Sequence, residues 1–207
     1  MDHPLLSYFL DAADGKFPGA DGRCVVVPPL SGGLECSVAF TGFAVVATAL
    51  TPDAVADQGP DGFGESMAPD FLRWLAGPDG EIGVLDATLV GRGNRAAPGL
   101  PELGDVDHPR VRHARQWRKD VRVYGDERGL VTLASGLAGR RELSIELDGG
   151  FGTGVGRGLL RDALGLVPDG EPVFAAVSPG NARSLRAFLA VGFTPIGSEV
   201  LLRPVRG

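Results

Sequence analysis

The residues from Asp148 to Arg157 read D-G-G-F-G-T-G-V-G-R. They follow a strand pattern over 142–147 and open a helical pattern that runs to residue 166. Glycine lets bare backbone N–H groups approach an anion, and the helix N-terminus behind the loop adds partial positive charge. A strand, a glycine loop and a helix in that order form an anion cradle. On the strand, alternation puts Leu143, Ile145 and Leu147 on one face and Glu142, Ser144 and Glu146 on the other. That polar face is either plainly solvated or lines a cleft beside the loop.

Two common phosphate motifs fail. After each G-x-G of this run the third glycine that a dinucleotide fingerprint requires is absent, and no G-x-x-x-x-G-K-[ST] occurs. The first counts against a Rossmann nucleotide fold, and the second excludes a Walker NTPase.

The elements around the loop occur twice in the same order. Asp2-His3-Pro4 recurs as Asp107-His108-Pro109, Gly62-Phe63-Gly64 as Gly150-Phe151-Gly152, and Pro78-Asp79-Gly80-Glu81 as Pro168-Asp169-Gly170-Glu171. Gly33-Leu34 and Gly93-Asn94 have their counterparts in Gly129-Leu130 and Gly180-Asn181. Between these marks each half reads helix, three strands, helix, strand. The first half predicts helices over 5–13 and 69–76 and strands over 24–27, 36–40, 44–50 and 82–90. The second predicts helices over 110–118 and 156–166 and strands over 121–125, 130–135, 142–147 and 173–177. Duplication and fusion explain the pattern, with coincidence in a Gly- and Pro-rich chain as the alternative. The domain reading is a degenerate half over 1–94, a linker over 95–106 and a half carrying the chemistry over 107–207. Residues 51–61 read as a surface excursion. In D-H-P, Asp is read as the helix cap. The first half has Glu65 after its glycines, where an anion would be repelled.

The second half resembles the GCN5-related N-acetyltransferases, the GNAT superfamily. Their loop motif [RQ]-x-x-G-x-[GA] is matched in frame by Phe151-Gly152-Thr153-Gly154-Val155-Gly156, with Arg157 following. Their N-x-x-[SA]-x-x-x-Y-x-x-x-G-F is matched from Asn181 through Ser184 and Phe188 to Gly192-Phe193. The resemblance covers about 121–204. It implies an α/β fold with a mixed, mainly antiparallel sheet flanked by helices, here as two fused GNAT-like halves. It also implies acetyl-CoA as cofactor and transfer of its acetyl group to a primary amine by direct attack. Backbone N–H groups over 152–157 would hold the pyrophosphate, the pantetheine would run along the strand ending at Leu147, and Asn181 would meet it. Glu142 and Glu146 are the implied candidates for the base that deprotonates the amine, with burial raising their pKa.

Two positions depart from the family. Phe151 replaces the usual Arg or Gln, and Phe188 replaces the tyrosine that often serves as general acid. Tyr124 is the candidate substitute. The rival reading is a non-catalytic acyl-CoA-binding or interaction module on the same fold; loss of CoA binding with retention of the fold is a third.

Other residues narrow the class. The net charge of −6 argues against a nucleic-acid binder. Cys24 and Cys36 read as free thiols, no zinc spacing occurs, and no metal site is expected. The N-terminal stretch lacks a signal-peptide pattern, and no apolar run reaches membrane-spanning length. A cytoplasmic protein with a small-molecule or peptide amine acceptor is expected, without nucleic acid or membrane partners. A homodimer is left open. Arg110, Arg112, Arg115, Arg118 and Lys119 read as a solvated basic helix face, with an acidic substrate or partner as the alternative. Trp74 and Trp117 read as packing residues.

Overall fold

The computed structural model describes residues 2–95, 99–149 and 154–206. In chain order the elements are α1 (Pro4–Ala13), β1 (Cys24–Val27), β2 (Glu35–Phe40), β3 (Phe43–Ala47), α2 (Pro52–Ala56), α3 (Pro69–Ala76), β4 (Glu81–Ile82) and β5 (Asp86–Arg92). There follow β6 (Glu102–Leu103), α4 (Pro109–Trp117), β7 (Lys119–Asp126), β8 (Gly129–Ser135), β9 (Arg141–Leu147), α5 (Val155–Leu164), β10 (Pro172–Val177), α6 (Ala182–Ala190) and β11 (Thr194–Arg203). The fold is mixed α/β, with mainly antiparallel strands flanked by helices, as expected.

The chain divides into two compact units. Unit 1 comprises Met1–Thr88 with Ile196–Gly207, and unit 2 comprises Leu89–Pro195. This corrects the division expected from sequence. The boundary falls inside β5, ahead of the expected linker, and the C-terminal segment belongs to unit 1. The linker itself is structured where it is described: Leu100 is buried, and Glu102 and Leu103 pair with Tyr124 and Val123 of β7.

In unit 1 the strand order is β1-β3-β2-β11, with β4 also pairing to β11. All five residues of β3 are buried, and β2 pairs antiparallel to it. Cys24–Val27 pairs parallel to Ala44–Ala47. α3 starts on Pro69, a residue suited to the first helical turn, and packs Phe71, Leu72 and Leu75 with Val46, Val200 and Leu202. The expected single strand over 82–90 is two strands. The expected surface excursion contains α2, whose Val55 is buried. Glu35 is buried on β2; its carboxylate accepts from Thr48 Oγ1 at 2.7 Å, Ala49 N at 2.8 Å and Arg206 Nη1 at 2.9 Å.

In unit 2 the order is β5-β10-β9-β8-β7-β6. β7, β8 and β9 form an antiparallel meander with continuous register from Gly129↔Leu147 to Ser135↔Arg141 between the last two. Leu159, Leu160 and Ala163 of α5 are buried, as are Val111 and Ala114 of α4. The two units do not share the pairing of the three strands that follow α1 and α4. Unit 1 runs β1-β3-β2 with a parallel pair, and unit 2 runs a meander.

Both D-H-P motifs begin helices, with His rather than Asp as the cap. Pro4 and Pro109 take the first helical position, so His3 and His108 fall at the N-cap. Nδ1 of each accepts from the backbone N–H two residues on, at 3.2 and 3.1 Å. Both cysteines are free; burial, then the charge of Asp61, pushes the Cys24 thiol up to about 11. Among the described residues, no helix is long and apolar enough to cross a membrane, and no cluster of His, Cys, Asp and Glu could hold a metal.

Candidate functional site

Unit 2 contains a groove of about 820 Å³. Ile145, Glu146 and Leu147 of β9 form one wall, and Gly154, Gly156 and Arg157 the end at α5. Asn181, Arg183, Ser184, Arg186 and Leu189 of α6 form the other wall, and Arg110 of α4 also reaches it. Beneath it β9 and β10 run parallel, with Glu142 opposite Phe174 as their single register pair among the described residues. The C-terminal half of β9 is thus left to line the groove.

The end at α5 suits an anion. Gly154 caps the helix in the left-handed conformation, with φ 84° and ψ 0°, which glycine adopts without strain. Among the described residues no side chain caps α5, and its first turn holds no acid. A Cβ on Gly156 would lie 3.2 Å from Leu147 Cδ1, so a side chain there would crowd the groove where strand and helix meet. The lining holds four guanidiniums, of Arg110, Arg157, Arg183 and Arg186, against the single carboxylate of Glu146. A locally cationic groove on a chain of net charge −6 favours a polyanion.

Five of the residues anticipated from the sequence lie together here: Glu146, Leu147, Gly154, Gly156 and Arg157. Asn181 joins them as the N-cap of α6, its Oδ1 accepting from Ser184 N at 3.1 Å. Val155 opens α5. Phe151, Gly152 and Thr153 lie outside the described residues.

Glu142 does not join them. The residue is 4% exposed and its carboxylate is enclosed by Arg118 Nε at 2.7 Å, Arg140 Nε at 2.9 Å and the N–H of Leu137 at 2.9 Å. Burial alone would push its carboxyl up. The charges of Arg140 and Arg118, with the N–H donors, outweigh burial and hold it below the ordinary carboxylate value. This corrects the expectation of a base made available by a raised pKa. Glu142 is an internal counter-ion.

Glu146 is half-exposed and accepts from Arg110 Nε at 3.0 Å, with Arg110 Nη2 at 2.9 Å. Two residues of the presumed basic face therefore point inward. Arg110 lies in the first turn of α4 and Arg118 is its C-cap, eight residues on, about 12 Å along a helix. Glu146 and Glu142 are four apart on β9, about 13 Å along a strand. The matched spacing pairs Arg110 with Glu146 and Arg118 with Glu142, and it was legible in the sequence had the two elements been laid side by side. Arg112 and Arg115 do face outward, paired with Asp107 and Asp105.

Phe188 is buried and stands edge-on to Phe193, ring centroids 4.9 Å apart. Tyr124 is buried on β7 under the guanidinium of Arg122 and does not line the groove, so it does not replace the missing tyrosine.

No family model matches the chain, and no curated protein matches it at a significant level. Two solved structures are similar in backbone. One is a protein assigned as an acetyltransferase of the GNAT family from Novosphingobium aromaticivorans, 18% identical, covering 62% of this chain and 69% of its own, with a TM-score of 0.44. The other is a conserved protein of unknown function from Staphylococcus epidermidis, 13% identical, covering 67% and 68%, with a TM-score of 0.42.

Proposed function

We propose that unit 2 binds acetyl-CoA in this groove and that the protein is an N-acyltransferase passing the acetyl group to a primary amine. One observation carries the reading: Gly154, Gly156, Arg157 and Asn181, anticipated from two separate motifs, line a single cationic groove together with Leu147 at the N-terminus of α5. The backbone N–H groups at the start of α5 hold the pyrophosphate, and Arg157 adds charge beside them. When bound, acetyl-CoA supplies the thioester whose carbonyl carbon the amine attacks as the thiolate leaves. Backbone N–H near Glu146 and Leu147 polarises the carbonyl oxygen. Glu146 takes the proton from the ammonium form of the acceptor, directly or through water. Thiolate departure needs no acid at Phe188, since a free thiol ionises near about 8.5.

A second reading, a non-catalytic acyl-CoA-binding module, is favoured by the burial of Glu142 among arginines and of Phe188 against Phe193. Calorimetric titration with acetyl-CoA tests the shared part. Saturable binding is expected for the wild type and is lost in the Gly154→Glu, Gly156→Glu double variant. Absence of binding by folded wild type rejects both readings. Turnover across an amine panel then separates the enzyme from the binding module.

A further inference from the structure

Arg128, in the turn between β7 and β8, holds both sides of the glycine loop without lining the groove. Its carbonyl accepts the N–H of Asp148, just before the loop, at 3.2 Å. Its Nη2 donates to Asp162 Oδ2 of α5, after the loop, at 2.6 Å. Asp126 fixes the guanidinium, accepting from Nε at 3.0 Å and Nη2 at 2.5 Å, and Asp126 Oδ1 accepts the Arg128 N–H at 2.9 Å. The guanidinium lies across α5 at Gly158, where a Cβ would come within 3.2 Å of Nη1. Side chains of Arg128 and both aspartates are less than a third exposed. A planar guanidinium suits two carboxylates at once, as a lysine does not.

We infer that Arg128 is a positioning residue for the anion cradle: it ties the strand end at Asp148 and the helix at Asp162 to one turn and so fixes the first turn of α5. The consequence for coenzyme A rests on the function proposed above; the mechanical part does not. Loss of the tie lets the first turn of α5 shift, so the N–H donors no longer converge.

Two measurements test it. In ligand-free protein, amide hydrogen exchange at residues 155–157 is expected to quicken by about tenfold in Arg128→Gln and in Asp162→Asn. In titrations of the folded variants with acetyl-CoA, Kd is expected to rise by about tenfold in each. The double variant is then no weaker than Arg128→Gln alone, because the two act as one contact. Arg128→Lys, which keeps a cation but cannot bridge both carboxylates, should recover only part of the affinity. The slope of log Kd against log salt is expected to stay at the wild-type value, since Arg128 does not touch the ligand. Unchanged exchange at 155–157 overturns the inference, and so does a flattened salt slope, which would make Arg128 a direct phosphate ligand. Should Arg128→Gln fail to fold, the partly exposed Asp162→Asn carries the same test. Quickened exchange with no acetyl-CoA binding by wild type rejects the proposed ligand and leaves the tie in place.

Discussion

The Arg118 Nε and the Glu142 Oε2 lie 2.7 Å apart, with side-chain exposures of 14% and 5%. With Arg140 on the other carboxylate oxygen, one buried carboxylate neutralises part of two buried cations. Removing it takes a buried carboxylate away from both guanidiniums. Glu142→Gln is therefore expected to destabilise the protein by about 3–5 kcal/mol, measured by urea unfolding.

The same carboxylate gives a pH dependence of definite sign. Its folded-state pKa is below the ordinary 4.5, so the unfolded chain binds the proton more readily. The stability it contributes is complete above 4.5 and is lost as the pH falls through the folded-state value. The urea midpoint of the wild type should fall on acidification below about pH 4.5, and that of Glu142→Gln should fall less.

Gly136 faces the same cluster. A Cβ there would sit 2.1 Å from Glu142 Cδ, closer than any non-bonded contact allows. Gly136→Ala is expected to cost about 1–3 kcal/mol by overpacking, with no effect on the acetyl-CoA affinity of the fraction that folds. Paired unfolding and titration curves check it.

Glu146 and Glu142 were equivalent candidates on one strand face, and the fold separates them. Glu146→Gln is expected to lower kcat by about 100-fold or more while acetyl-CoA Kd stays within about twofold. The measurement is steady-state turnover with an accepted amine beside calorimetry. Equal loss in Kd and kcat would make Glu146 a binding residue instead.

In unit 1, Arg206 meets the buried Glu35, and its Nη2 also donates to Leu75 O. Hydrogen bonds to charged groups are worth about 1.5–3 kcal/mol each, and Thr48 and Ala49 still hold the carboxylate when the arginine is gone. Arg206→Ala should lower stability by about 2–3 kcal/mol, seen as an earlier urea midpoint.

Local elements were legible because local rules set them. α3 and β1 fall where proline placement and apolar runs put them, and β9 presents its two faces as alternation requires. The groove was legible because its glycines and Asn181 sit at fixed offsets from element ends. Pairing was not. That β1 lies parallel to β3, on the side away from β2, depends on contacts between distant segments, for which a repeated element order is a poor guide. Glu142 was misjudged because burial and counter-charge act oppositely on a carboxylate. Which one wins depends on Arg118 and Arg140, and their proximity is a property of the fold.

Unit 1 is built from two stretches of chain with the whole of unit 2 between them. During synthesis, residues 89–195 emerge as one uninterrupted stretch. Unit 1 must wait: β11 pairs with both β2 and β4, and Arg206 meets Glu35, only after the last of its residues has left the ribosome. Until then the edge of β2 that β11 covers stays open. A nascent chain halted before residue 196 would therefore lack β11 and leave β2 exposed to any passing strand.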